Sequence, residues 1–125
     1  MKKIISTTKA PGALGPYSQA VEANGTLYIS GTLPIDPKTG QLYTGDIKIA
    51  TKMAMENIKA ILEEAGYGFE HVVKYTCLLK DLNNFAGLNE VVGEYYSINP
   101  PARATFQVAK LPLDADVEIE TIAVR

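Results

Sequence analysis

Arg103 stands in Pro101-Ala102-Arg103-Ala104-Thr105-Phe106, and Glu118 and Glu120 stand in Val117-Glu118-Ile119-Glu120. Both segments read as strands otherwise filled with apolar or small residues, where a charge must meet a partner or a ligand to be tolerated. A guanidinium is a planar fork that matches a carboxylate through two parallel hydrogen bonds, so one arginine at a cleft suffices to recognise a small organic acid. The same residues also suit a structural Arg–Glu pair, and spacing alone leaves both readings open. Alternation along a strand puts Arg103, Thr105, Gln107 and Ala109 on one side and Ala104, Phe106 and Val108 on the other. Glu118 and Glu120 share a side, about 7 Å apart by strand rise, and the sequence does not say which of them looks toward Arg103.

Two further positions have suitable chemistry. Tyr17 follows the rigid pair Gly15-Pro16, and Ser30-Gly31 ends a strand, where glycine allows a backbone to approach a ligand and serine offers both a donor and an acceptor. His71 has no second titratable group beside it that would make a catalytic pair, and it reads as a surface or boundary residue. No Ser–His–acid or Cys–His set can be assembled, and Gly12, Gly15, Gly25 and Gly31 lack the spacing of a phosphate loop. One cysteine, Cys77, and one histidine fall short of a zinc ligand set, so no metal is expected.

These residues need elements to hold them. Asn24-Gly25, flanked by Val21, Ala23, Leu27, Tyr28 and Ile29, predicts a hairpin closed by a two-residue type I′ turn, because both turn positions accept positive φ. Pro34 to Gly40 reads as a loop leading to a short segment at Gln41 to Tyr43. From Asp46 the period changes: Ala50, Met53, Ala54, Asn57, Ile58, Ile61, Leu62 and Ala65 form one helical stripe, with Asp46 as the cap and Gly66 as the end. His71 to Lys80 alternates as a strand, with Val73, Tyr75, Cys77 and Leu79 on one face. Leu82, Phe85, Leu88, Val92 and Tyr95 suggest a second helix despite Gly87 and Gly93, ended by Asn99-Pro100-Pro101. Two strands, near Ala104 to Lys110 and Val117 to Val124, close the chain. The whole predicts an α+β layer over residues 1–125, with both helices on one face of a sheet of five or six strands. The opposite face, with Tyr75 or Thr76, Phe106, Val108, Ile122 and Val124, is too apolar to stay wet, which points to self-association.

Composition narrows the function classes. A chain of 125 residues, 46% hydrophobic, has room for one core and a site. A net charge of −2 supplies no basic field for nucleic acid. The apolar runs fall short of the ~20 residues that cross a bilayer, and Met1-Lys2-Lys3-Ile4-Ile5 passes at once into polar residues, so a cytoplasmic protein is expected.

Gly15-Pro16-Tyr17-Ser18-Gln19-Ala20, Ile29-Ser30-Gly31, Pro37-Lys38-Thr39-Gly40, Asn57-Ile58-Lys59-Ala60-Ile61-Leu62, Pro101-Ala102-Arg103 and Val117-Glu118-Ile119-Glu120 together resemble, nearly end to end, the YjgF/RidA family of reactive-intermediate (enamine/imine) deaminases, in its arginine-bearing subgroup. The resemblance implies a chorismate-mutase-like α+β domain with a mixed sheet of about six strands, assembled as a homotrimeric barrel with clefts between subunits. It also implies cofactor-free hydrolysis of 2-iminobutanoate and 2-iminopropanoate to 2-oxo acids and ammonia. By the same resemblance Arg103 holds the substrate carboxylate and Glu118 orients the attacking water. Tyr17, Ser30, the Gly31 amide and Asn89 line the cleft. Thr105 stands where the family often has cysteine, a position expected to act mainly through its backbone amide. Two other expectations belong to relatives of this kind: a 2-oxo-acid-binding, chaperone-like trimer without turnover, and an endoribonuclease, which the acidic charge disfavours.

Overall fold

A computed structural model describes all residues, 1–125. The sheet has six strands, β1 (Lys3–Ile5), β2 (Ala20–Ala23), β3 (Thr26–Thr32), β4 (Val72–Leu79), β5 (Ala102–Gln107) and β6 (Val117–Val124), in the order β1-β2-β3-β6-β4-β5. Every neighbouring pair is antiparallel except β4 and β5, which run parallel because the helix between them carries the chain back across the sheet. The β2–β3 hairpin turns at Asn24 (φ 51°) and Gly25 (φ 79°), the left-handed pair that a type I′ turn requires.

Helix α1 (Ile47–Ala65) begins where the Asp46 carboxylate accepts from the Lys48 N–H at 2.8 Å. It ends at Gly66, whose φ of 81° lets the following N–H of Tyr67 reach back to the Leu62 carbonyl at 2.9 Å. Helix α2 (Phe85–Tyr95) packs across it. Gly87 sits at that crossing: a Cβ there would lie 2.6 Å from Ile47 Cγ2, so the helix cost of glycine is offset by the close approach of two helices. Leu27, Met55, Ile58, Leu62, Leu79, Leu88 and Ile119 are fully buried between the helices and one face of the sheet. No helix is long and apolar enough to cross a membrane.

Several expectations need correction. The ladder between β4 and β6 shifts between Val72 and Lys74, so Val72 enters the core while Val73, expected there, is 48% exposed. Tyr75 packs in the core, which leaves Thr76 for the opposite face. Strand β5 starts at Ala102 and stops at Gln107; Val108 therefore leaves the sheet and packs near Leu33, Ile35, Leu111 and Ala115. In α2 the buried residues are Leu88, Val91 and Val92, whereas Leu82 and Phe85 remain partly exposed beside a 3₁₀ turn at Leu82–Asn84. In α1 Thr51 and Met55 join the buried stripe and Met53 lies at its edge, because the helix touches both sheet and α2. The sheet face away from the helices carries half-exposed Ile4, Tyr28, Phe106 and Val124.

Candidate active site

The candidate residues assemble as two groups. The first gathers at the exit of β3. The β3–β6 ladder pairs Ile29 with Thr121 and then Thr32 with Ile119, so Ser30 and Gly31 together oppose Glu120 in a bulge. A bulge of this kind re-aims its residues, and here it brings Gly31 against Glu118. The Ser30 hydroxyl donates to the Ser18 carbonyl at 2.6 Å, and its N–H donates to the Gln19 carbonyl at 3.0 Å. Ser30 thus ties the Tyr17 loop to the sheet, and its oxygen is left only as an acceptor. The Leu14 N–H donates to Tyr17 Oη at 3.1 Å, which leaves the phenol's own proton for a ligand. Leu14, Tyr17, Ser30, Gly31, Leu33, Pro112, Glu118 and Glu120 line a cavity of about 550 Å³. Glu118 is half-buried there: burial pushes its carboxyl above the ordinary carboxylate value, and neighbouring Glu120 pushes in the same direction.

Behind this loop lies Gln19, only 8% exposed. Its Oε1 accepts from the Thr7 N–H at 2.7 Å, and its Nε2 lies 3.0, 3.3 and 2.7 Å from the carbonyls of Thr7, Ala10 and Pro11. The segment leading to Leu14 and Tyr17 hangs on this one amide.

The second group is built on β5 and α2. Arg103 Nη1 donates to Asn89 Oδ1, and its guanidinium carbon lies 5.2 Å from the centre of the Phe85 ring. Tyr75, Asn89, Val92, Gly93, Tyr96, Pro100, Pro101 and Arg103 line a cavity of about 500 Å³. Burial raises the pKa of the Tyr75 hydroxyl while Arg103 opposes that shift. Burial pushes the Cys77 thiol up to about 11, so it stays protonated and inert. Thr105 shares Arg103's side of the strand, yet its Oγ1 is buried without a hydrogen-bond partner and takes no part in lining either cavity.

Arg103 and Glu118 do not meet within one chain. Arg103 pairs with Tyr75 and Tyr75 with Thr121, whereas Glu118 pairs with Leu78 and Leu78 with Phe106. They are separated by β4 and by three residues of register, roughly 14 Å between backbones. Because three is odd, the arginine lies on the helix side of the sheet and both acids on the other. Neither Glu118 nor Glu120 looks toward Arg103 of its own chain.

His71 accepts from the Gly68 N–H at 2.9 Å and sets its ring edge-on to Tyr67, a structural placement. No group of three or more His, Cys, Asp or Glu side chains is gathered in a way that could hold a metal. A cavity of about 560 Å³ on the outer side of α1, between Lys52, Glu56, Lys59 and Glu63, is the solvated face of that helix and contains none of the candidate residues. Phe85, Gln19 and Leu14 were not singled out by sequence reasoning. Phe85 and Asn89 are one helical turn apart, a spacing that could have marked them as neighbours.

Residues 7–125 match the family model described as Endoribonuclease L-PSP. The 2-iminobutanoate/2-iminopropanoate deaminase of Mus musculus is 50% identical over 125 residues, spanning 100% of this chain and 93% of that protein. The crystal structure of RidA from an Antarctic Psychrobacter superposes with a TM-score of 0.95 at 49% identity, over 98% of this chain and 99% of that one. The E. coli protein TdcF, solved with bound serine, is similar at 41% identity and a TM-score of 0.93, over 98% of each chain.

Proposed function

The chain belongs to the Endoribonuclease L-PSP (YjgF/RidA) family, and on that premise we propose that Arg103 and Glu118 form one imine-hydrolysing site shared between two copies of the chain. Its reaction is the hydrolytic deamination of 2-imino acids such as 2-iminobutanoate and 2-iminopropanoate to 2-oxo acids and ammonia. The carrying observation is the placement of the two groups: each is built and each is incomplete, and they face away from each other in one copy. A second copy, related by rotation, can bring the Glu118 side of one chain to the Arg103 edge of the next. The half-exposed Ile4, Tyr28, Phe106 and Val124 support such an assembly, since burying that apolar face supplies a driving force. Three copies closing into a barrel on a chorismate-mutase-like plan is the arrangement we propose.

In the shared site Arg103 holds the substrate carboxylate through its free N–H groups and neutralises that end of the molecule. Glu118 accepts a proton from a water placed against the carbon of the N-protonated imine, and the oxygen–carbon bond forms as the carbon–nitrogen π pair moves onto nitrogen, giving the neutral carbinolamine. The carbinolamine then loses ammonia: nitrogen takes the proton from Glu118, the carbon–nitrogen bond breaks, and the hydroxyl becomes the 2-oxo group as its proton passes to the Glu118 carboxylate and on to solvent. An iminium carbon is already electrophilic, so positioning and charge neutralisation supply most of what the step requires. A carboxyl held above its ordinary pKa is a stronger base than a free carboxylate, which suits it to accept and return that proton. Tyr17, with an unassigned phenol proton, and the Gly31 N–H are placed to steady the substrate.

The test is ammonia release from imines generated in situ by an amino-acid dehydratase, compared for wild type, Arg103→Ala and Arg103→Lys. The proposal expects acceleration by wild type and its loss in both variants; equal turnover in all three would refute the assignment of Arg103. Binding of 2-oxo acids by wild type with no acceleration would leave a carboxylate-binding trimer in its place. RNA hydrolysis, named in the family's description, is not favoured by a chain of net charge −2.

A further inference from the structure

We propose that Phe85 is a positioning residue for the carboxylate-binding arginine, its ring serving as the platform that holds the Arg103 guanidinium in place before substrate arrives. The inference rests on the reading of Arg103 given above and adds a residue to it. An arginine on an edge strand has many rotamers, and gripping a ligand with it costs the entropy of ordering them. Here the guanidinium is held from two directions: Nη1 donates to Asn89 Oδ1, and Cζ stands 5.2 Å from the Phe85 ring centre. Phe85 and Asn89 project from the same side of α2, four residues apart.

Phe85 lies outside the buried core of its helix. The core of α2 is made by Leu88, Val91 and Val92, while the Phe85 ring stays 37% exposed at the start of the helix. The turn that carries it is fixed by the same strand that carries the arginine. Gln107, on Arg103's side of β5, accepts from the Leu82 N–H at 2.9 Å, and Asp81 caps the Asn83 N–H at 2.9 Å. The strand, the turn and the ring thus form one frame around the guanidinium. The ring's negative face attracts the cation, and the remaining N–H groups stay available to a carboxylate.

The experiment replaces Phe85 by 4-fluoro-, 3,4-difluoro- and 3,4,5-trifluorophenylalanine, which keep the ring's shape while draining its negative face. KM and kcat for imine hydrolysis and the inhibition constant of 2-oxobutyrate are measured, with Phe85→Leu, Phe85→Tyr and Arg103→Ala alongside. KM and the inhibition constant should rise stepwise with fluorine number, to roughly two- to fivefold, while kcat holds. Phe85→Leu should match or exceed the trifluoro protein, and Phe85→Tyr should restore wild-type values. A flat series, with Arg103→Ala still losing binding, overturns the platform alone. An unchanged KM in Arg103→Ala overturns the carboxylate reading and the platform with it.

Discussion

Gly31 lies so close to Glu118 that a Cβ at position 31 would stand 2.7 Å from the carboxyl carbon. The colliding group is the end of a flexible side chain, so Gly31→Ala should fold with a melting temperature near that of wild type. The carboxylate, however, must swing away, and a displacement of about 1 Å at a reacting group costs about a hundredfold in rate. Thermal melting and steady-state kinetics on the same preparation check both halves; a destabilised protein with normal turnover would contradict them.

Glu118→Gln should separate stability from activity. Burial first, and Glu120 second, hold the Glu118 carboxyl above its ordinary value, so its ionisation opposes folding. That penalty is absent below about pH 4.3, where folded and unfolded chains are both protonated; it grows as pH rises through the folded value and is constant above it. The glutamine variant should therefore melt higher than wild type at pH 7 and not at pH 4. Its turnover should fall by about 10²- to 10⁴-fold, with the acid limb of the wild-type rate profile abolished. Melting curves at the two pH values and a pH–rate profile provide the check.

Gln19→Leu should loosen the Tyr17 loop. Leucine leaves the Thr7 N–H and the carbonyls of Thr7, Ala10 and Pro11 without their partner, a loss of about 2 kcal/mol or more. Faster amide exchange across residues 7–14 and a raised KM are expected; unchanged exchange there would show that the amide is not the anchor.

What the sequence revealed was local. Asn24-Gly25 specified its turn through backbone conformations other residues avoid, and Asp46 and Gly66 bounded α1 through the unpaired groups at helix ends. The identity of the candidate residues Tyr17, Ser30, Gly31, Asn89, Arg103 and Glu118 was legible only through the family resemblance, which put them in one cleft. Their division between the two faces of the sheet was not. Alternation assigns sides within one strand, but the match between β5 and β6 depends on the pairing of Tyr75 with Arg103 and of Leu78 with Glu118. The one-residue slip at Val72–Lys74 has no local mark either, which is why simple alternation points Val73 inward. Phe85 looked like another residue of an apolar stripe because the 3₁₀ turn that swings it over Arg103 depends on Gln107, far along the chain.

The most direct measurement mixes two inactive proteins. Arg103→Ala keeps the Glu118 half of the site and Glu118→Gln keeps the Arg103 half, so a site formed between the two variants is complete. Unfolded together in equal amounts and refolded, they should recover about a quarter of wild-type imine hydrolysis if copies associate at random in closed rings. Activity no greater than the sum of the separate variants would contradict a site shared between chains.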